Sequence, residues 1–329
     1  YESWAVQFYK KGILIPLDDF IKGDKGFSEE ELEDFYPVFL KTNIYEGKFL
    51  TLPFNKSLPV IFYNKRMFKE NGIKNPPKTW EEFEYIAKKL TKDKDKDGVP
   101  EIWGTALSID PWWFNILLLQ NGGELLDIKN KKVLFASKEG IEALKFFKRL
   151  IDEKCAYIPS GYQYQDEFLS GRIGMIIGTI VSWSFMREKM SFPVGIAPLP
   201  CGKRKIVIIA GTNVGMFSKV PADKKKKAWR FIKWFLSPRQ QAYWSYHTFY
   251  LPVRRSAKNY EPLKTLVSEF PELGEVYKQL EYAVSEPFEE IWFKGRRYLQ
   301  EAIEKALRGA KSPERALKEA KERIEREWR

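Results

Sequence analysis

Histidine, the commonest catalytic base, is nearly absent from this chain. His247 is the only one, in the helical stretch Ser245-Tyr246-His247. A Ser-His-Asp or Cys-His nucleophile system therefore has a single candidate base with no positioned partner in sequence. A lone helical histidine more often packs or faces solvent. A zinc site built on several histidines is excluded. There is no Walker loop and no Gly-x-Gly-x-x-Gly. Gly171, Gly174 and Gly178 flank the apolar run Ile173-Met175-Ile176-Ile177, which reads as a strand entry and not a phosphate cradle. The chain holds 44 Asp plus Glu, so composition leaves a glycosidase pair open, but no local signature places one. No residue is assigned a catalytic role.

One stretch has metal-ligand spacing. Asp93, Asp95 and Asp97 alternate ahead of Gly98, with Glu101 further on, as at the start of a calcium loop. Gly104 stands where a bidentate Glu closes such loops, and Lys94 and Lys96 partly neutralise the site. An ordinary polar turn accounts for the same residues. Asp93, Asp95, Asp97 and Glu101 are the candidate ligands of a structural calcium; no other cofactor is expected. Cys155 and Cys201 form no Cys-x-x-Cys pair, and both a disulfide between them and two free thiols stay open.

The charge needs an explanation. Lys plus Arg number 56, giving a formal net charge of +12. A nucleic-acid binder would set its basic residues among aromatics. A protein meeting anionic ligands or an anionic membrane face would also be basic. A heavily ion-paired, solvated surface, as in heat-adapted proteins, is the third reading. Lys and Glu alternate from Lys318 to Glu327 in ion-pair spacing, which favours the third. The run Lys224–Lys227 precedes a helical pattern and reads as solvated. Hydrophobic residues make up 44% and aromatics 16%. That is enough for two cores with rings left over for a ligand. No apolar run is long enough to span a membrane.

These residues must be carried on alternating strands and helices. Trp4 to Gly12 reads as a short helix, and Lys48 to Leu52 and Pro59 to Tyr63 as strands. Thr79-Trp80-Glu81-Glu82 is a capping box. Behind it Trp80, Phe83, Ile86, Ala87 and Leu90 fall on one helical face. Trp112 to Leu119 is an apolar helix stopped at Asn121-Gly122-Gly123. A helix from Ser137 has Ile141, Leu144, Lys148 and Ile151 on one side. Arg172 to Thr179, Phe192 to Leu199 and Lys205 to Ala210 read as buried strands. Pro238 and Pro313 open helices, the last with Leu317, Ala320, Ile324 and Trp328 as its stripe. This alternation predicts α/β layers. No linker separates two halves, so two lobes would be joined by several crossings.

The motifs and their order resemble the family of extracellular solute-binding proteins that carry sugars and polyols to ABC importers. The resemblance is carried by Tyr1-Glu2-Ser3-Trp4-Ala5, by Pro53 to Lys65, and by Pro76-Pro77-Lys78-Thr79-Trp80. It continues through Phe168 to Met175, Ala210-Gly211-Thr212-Asn213, Tyr250 to Arg254, and Lys311 to Leu317. Within the family the chain is most similar to the glycerol-phosphate binders.

The resemblance implies an α/β, two-lobe periplasmic-binding-protein-like fold with hinge crossovers and a ligand cleft between the lobes. The expected N-terminal lobe is 1–108 plus 209–247, and the C-terminal lobe 109–208 plus 248–329. The family opens with a strand, a helix and a strand ahead of the point where this chain starts, so the sequence is expected to be an incomplete record. The implied role is a monomeric, extracytoplasmic subunit, periplasmic or lipid-anchored, that delivers its ligand to the membrane permease of an ABC importer. It would perform no catalysis and bind no nucleic acid. A glycoside-acting hydrolase and a basic nucleic-acid-binding protein are the alternatives. Glycerol 3-phosphate or a related phosphodiester is the sharpest ligand expectation, and a neutral sugar the next.

The same resemblance nominates ligand-binding residues. Glu2 would accept two ligand hydroxyls, and Ser57 would bond ligand. Ser182 and Trp183 follow a strand end, where α/β folds bind ligands. Trp112, Trp113 and Trp183 would stack on a sugar or polyol face. Gly211 would let backbone approach the ligand, and Tyr250 would offer its hydroxyl. Arg296, or Arg297 one residue on, would clamp phosphate with its planar fork.

Overall fold

In the computed structural model the backbone is described for residues 2–328 and the side chains for residues 4–328. Half of the chain is helix and 17% is strand. The chain forms two compact units, Tyr1–Leu58 with Ile209–Phe293 and Pro59–Ile208 with Lys294–Arg329. It therefore passes between units after residues 58, 208 and 293. The passages expected at 108 and 247 fall inside units instead. Pro59–Asn64 is the central strand of the second unit's sheet, which draws residues 59–108 there. The helix Pro238–Thr248 packs on the segments after it around buried Ala242, Ala257 and Leu263, which keeps 248–293 in the first unit.

In the first unit the Glu2–Lys10 helix ends at Gly12, whose φ of +67° suits glycine. Leu14–Ile15 then pairs antiparallel with Met216–Phe217. Leu52–Ser57 pairs antiparallel with Ala210–Val214, with Ser57 opposite Ala210 and Lys56 opposite Gly211. A bulge interrupts this ladder between Gly211 and Asn213. The expected strand at 48–52 is a short hairpin edge, Lys48–Phe49, and the longer strand begins at Leu52. The helix Ala222–Phe235 buries Trp229, Ile232 and Phe235. Trp229 meets Phe27 edge-on at 5.6 Å, and Phe235 packs on Phe54 at 4.7 Å. The Lys224–Lys227 run lies inside this helix and not ahead of it.

The second unit is built round Pro59–Asn64, flanked antiparallel by Met175–Thr179 and Val194–Pro198. Pro59 sits at the strand's first position, where a missing N–H costs least. Thr79 caps the Trp80–Leu90 helix by accepting from Glu82 N at 3.2 Å. Glu82 reaches back to Lys78 N at 2.6 Å and not to Thr79, so the expected box is displaced by one residue. The predicted face Trp80, Phe83, Ile86, Ala87 and Leu90 is buried as one stripe. In Lys138–Asp152 the buried face is Gly140, Ala143, Leu144, Phe147 and Leu150, rotated from the expected stripe. Packing selected the helix phase through Phe147 over the one through Lys148.

Candidate functional site

Three of the nominated residues, far apart in sequence, meet around the end of one strand of the first unit. Ser57 ends the Leu52–Ser57 strand, opposite Ala210 and beside the Lys56–Gly211 pair. Leu251 N donates to Lys56 O at 2.7 Å, which brings Tyr250 against the same strand. Tyr250 is half-buried, its ring parallel to Trp244 at 6.5 Å. Trp244 Nε1 in turn donates to Asn55 Oδ1 at 3.1 Å. The left-handed Phe249, φ +59°, ends the preceding helix and turns the chain into this contact.

Ser57 is the telling side chain. It is 3% exposed, and its Oγ is buried with no hydrogen-bond partner among the described residues. A buried hydroxyl left unpaired costs about 1–3 kcal/mol, a state that Thr105 Oγ1 and Ser245 Oγ share among the described residues. Gly211 has a structural reason of its own. Its φ is +123°, and a Cβ there would stand 1.8 Å from Asn55 O. The close approach it permits here is to Asn55, at the bulge. Lys56, a polar residue in an otherwise strand-like stretch next to Ser57, is fully buried.

A second group lies wholly in the second unit. Asp110 caps the Pro111–Gln120 helix, its Oδ1 accepting from Trp112 N at 2.9 Å. Arg296 Nη2 donates to the same oxygen at 2.8 Å. Trp112 and Trp113 follow at once, with ring centroids 4.5 Å apart. Their fates differ. Trp112 is buried, and its Nε1 donates to Ile208 O at 3.1 Å, so it is core. Trp113 is half-buried and lines a small cavity with Asp110, Ser108 and Ile177. The structure separates the two arginines as well. Arg296 is tied to Asp110 beside Trp113, whereas Arg297 is exposed and pairs loosely with Glu301 along its own helix at 4.0 Å.

Ser182 opens a short helix after the Met175–Thr179 strand. It is buried, and Gln165 Nε2 donates to its Oγ at 3.3 Å. Trp183 is half-buried and lies parallel to Phe62, centroids 6.3 Å apart. Gln165 and Asp110 were missed in sequence; only the helix start at Asp110-Pro111 hinted at the latter. Glu2 falls where no side chain is described.

The acidic turn folds as a chain of local caps. Asp93 Oδ2 accepts from Gly98 N at 2.9 Å, Asp95 Oδ1 from Asp97 N at 3.2 Å, and Glu101 Oε2 from Lys94 N at 2.7 Å. Oxygens of Asp93, Asp95 and Glu101 lie within 4.8 Å of one another. Asp97 is outside that group and accepts from Val99 N at 2.7 Å. The two cysteines are free thiols, and burial pushes Cys155 up to about 11.

Residues 1–270 match the family model described as bacterial extracellular solute-binding protein. The chain belongs to that family. Its relatives are distant. A binding protein of Brucella abortus is 25% identical over 259 residues, 77% of this chain, and the chain spans 61% of that protein's length. The maltotriose-binding protein of Pyrococcus abyssi is 25% identical over 86% of this chain and 63% of its own length. The sn-glycerol-3-phosphate-binding periplasmic protein of Pectobacterium atrosepticum is 24% identical, covering 98% of this chain and 76% of its own. Among solved structures, that of UgpB from Mycobacterium tuberculosis with glycerophosphocholine superposes with a TM-score of 0.85 at 20% identity. It covers 98% of this chain and 81% of the other, and shows the same fold.

Proposed function

We propose that the protein is the extracytoplasmic solute-binding subunit of an ABC importer. It captures a sugar or polyol as a monomer, hands it to a membrane permease, and performs no chemistry on it. Ser57 carries the proposal: its buried hydroxyl, unpartnered among the described residues, ends the strand that Leu251, next to Tyr250, pairs with. A ligand hydroxyl there would recover the hydrogen bond that folding leaves unmade. Family membership supports binding over catalysis, and so does a lone histidine that faces solvent.

Glycerol 3-phosphate or a related phosphodiester is the proposed ligand. Support comes from Arg296, held in place by Asp110 at 2.8 Å, and from the glycerol-phosphate binder among the relatives. A neutral sugar is the second reading, because Asp110 already offsets the Arg296 charge and Trp113 lies beside them.

Thermal-shift titration with glycerol 3-phosphate, glycerophosphocholine and maltotriose separates these readings. The phosphate reading expects the first two ligands to raise the melting midpoint. Arg296→Ala then weakens them by roughly tenfold to a hundredfold, the worth of one charged hydrogen bond. Stabilisation by maltotriose alone, unchanged in Arg296→Ala, would replace phosphate with sugar.

A further inference from the structure

The helix Ala222–Phe235 has a second face that its core contacts leave free. Lys227, Arg230, Phe231 and Trp234 recur at the spacing that lines up side chains on one side of a helix. All four are exposed, Phe231 at 54% and Trp234 at 55%. The two rings lie 5.8 Å apart. Trp229, Ile232 and Phe235 turn the other way into the core. Two large rings side by side in water are a departure from ordinary surface composition.

The charge around these rings is one-sided. The helix carries six basic residues and one acid, Asp223, which lies 3.9 Å from Lys227. An open hollow of about 820 Å³ adjoins the stripe, with Lys25, Lys227 and Arg230 on its rim. Its one acid, Glu31, is engaged by Lys233 at 3.2 Å. This helix is thus locally basic where aromatic rings are bare, and the partner this face fits is an anionic one.

A helix with basic residues flanking exposed Phe and Trp suits the headgroup boundary of a bilayer, where rings enter the acyl edge and ammonium and guanidinium groups meet lipid phosphates. We propose that this face of Ala222–Phe235 docks the protein on an anionic membrane surface. Phe231 and Trp234 insert, while Lys224, Lys227 and Arg230 contact the headgroups. Such docking holds the protein at the bilayer whatever solute it binds, so it stands apart from the ligand proposal.

The test is cosedimentation of the full chain with vesicles of phosphatidylglycerol and phosphatidylcholine, and with phosphatidylcholine alone. The chain is expected to partition onto the anionic vesicles and to be released by salt. Each headgroup charge lost should lower the partition roughly fivefold. Lys227→Glu with Arg230→Glu then lowers it by well over tenfold, and Phe231→Ala with Trp234→Ala on the order of tenfold. Lys129→Glu with Lys203→Glu, exposed lysines of the other unit, makes the same change in net charge and leaves the partition unchanged. Circular dichroism checks that each variant keeps its helix content. Absence of binding to anionic vesicles overturns the proposal. So does equal binding to neutral ones, retention by a nucleic acid in their place, or an equal loss in Lys129→Glu/Lys203→Glu.

Discussion

A single hydroxyl makes the sharpest residue-level statement. Ser57 Oγ is buried and unpartnered among the described residues, so deleting it removes a cost and not a bond. Replacing such a group by an apolar one of similar shape is neutral or stabilising. Ser57→Ala is therefore expected to leave the ligand-free melting midpoint unchanged or raise it, by up to about 1 kcal/mol of stability. The same change should weaken ligand binding roughly tenfold. Calorimetric melting with and without ligand reads both. A drop in ligand-free stability with binding intact would make Ser57 purely structural. The tryptophans show why residue roles were only partly legible. Trp112 and Trp113 are the same residue type one position apart, yet one donates to Ile208 O in the core and the other lines a cavity. Helix phase sets that difference, and a two-residue motif does not contain it. The choice between Arg296 and Arg297 was open for the same reason, and the Asp110 contact decides which one lies beside Trp113.

Elements were legible where period and caps acted together. The Trp80–Leu90 stripe was readable because five apolar residues fall on one face behind Thr79. The face of Lys138–Asp152 was not, because Phe146, Phe147 and Lys148 admit two phases and packing chose between them. Those two helices are joined by a polar clamp that sequence spacing does not reveal. Arg149 donates to both oxygens of Glu84, at 3.0 Å and 2.7 Å, and Lys88 adds a third contact at 2.8 Å. The Arg149 bond first, and Lys88 after it, hold the Glu84 carboxyl at about 2, below its usual 4.5. A depressed carboxyl adds stability that is complete above its unfolded value and lost as pH falls through its folded one. The melting midpoint should therefore drop as pH is taken from 4.5 towards 2, and Glu84→Gln should flatten that part of the profile. An unaltered acid limb in Glu84→Gln would show that other carboxylates carry it.

At the scale of the whole chain, composition and alternation pointed to α/β layers, and motif order to the family that residues 1–270 match. The passages between units were less accessible. Pro59–Asn64 reads as a strand from sequence, but which unit it completes depends on pairing with residues 175–179 and 194–198, more than a hundred positions away. The convergence of Ser57, Gly211 and Tyr250 around one strand has the same origin. It came from resemblance, and local pattern does not supply it. The lysine run expected ahead of a helix lies within Ala222–Phe235 and makes that helix locally basic. As a binding subunit the molecule would take up a small polyol or sugar and leave it unchanged. Isothermal titration with glycerol 3-phosphate, glycerophosphocholine and maltotriose, with the ligand recovered afterwards for chemical analysis, tests it most directly. Saturable heat at one ligand per chain is expected for at least one of the three, with intact ligand on recovery. No heat with any of them, or a steadily accumulating hydrolysis product, would contradict it.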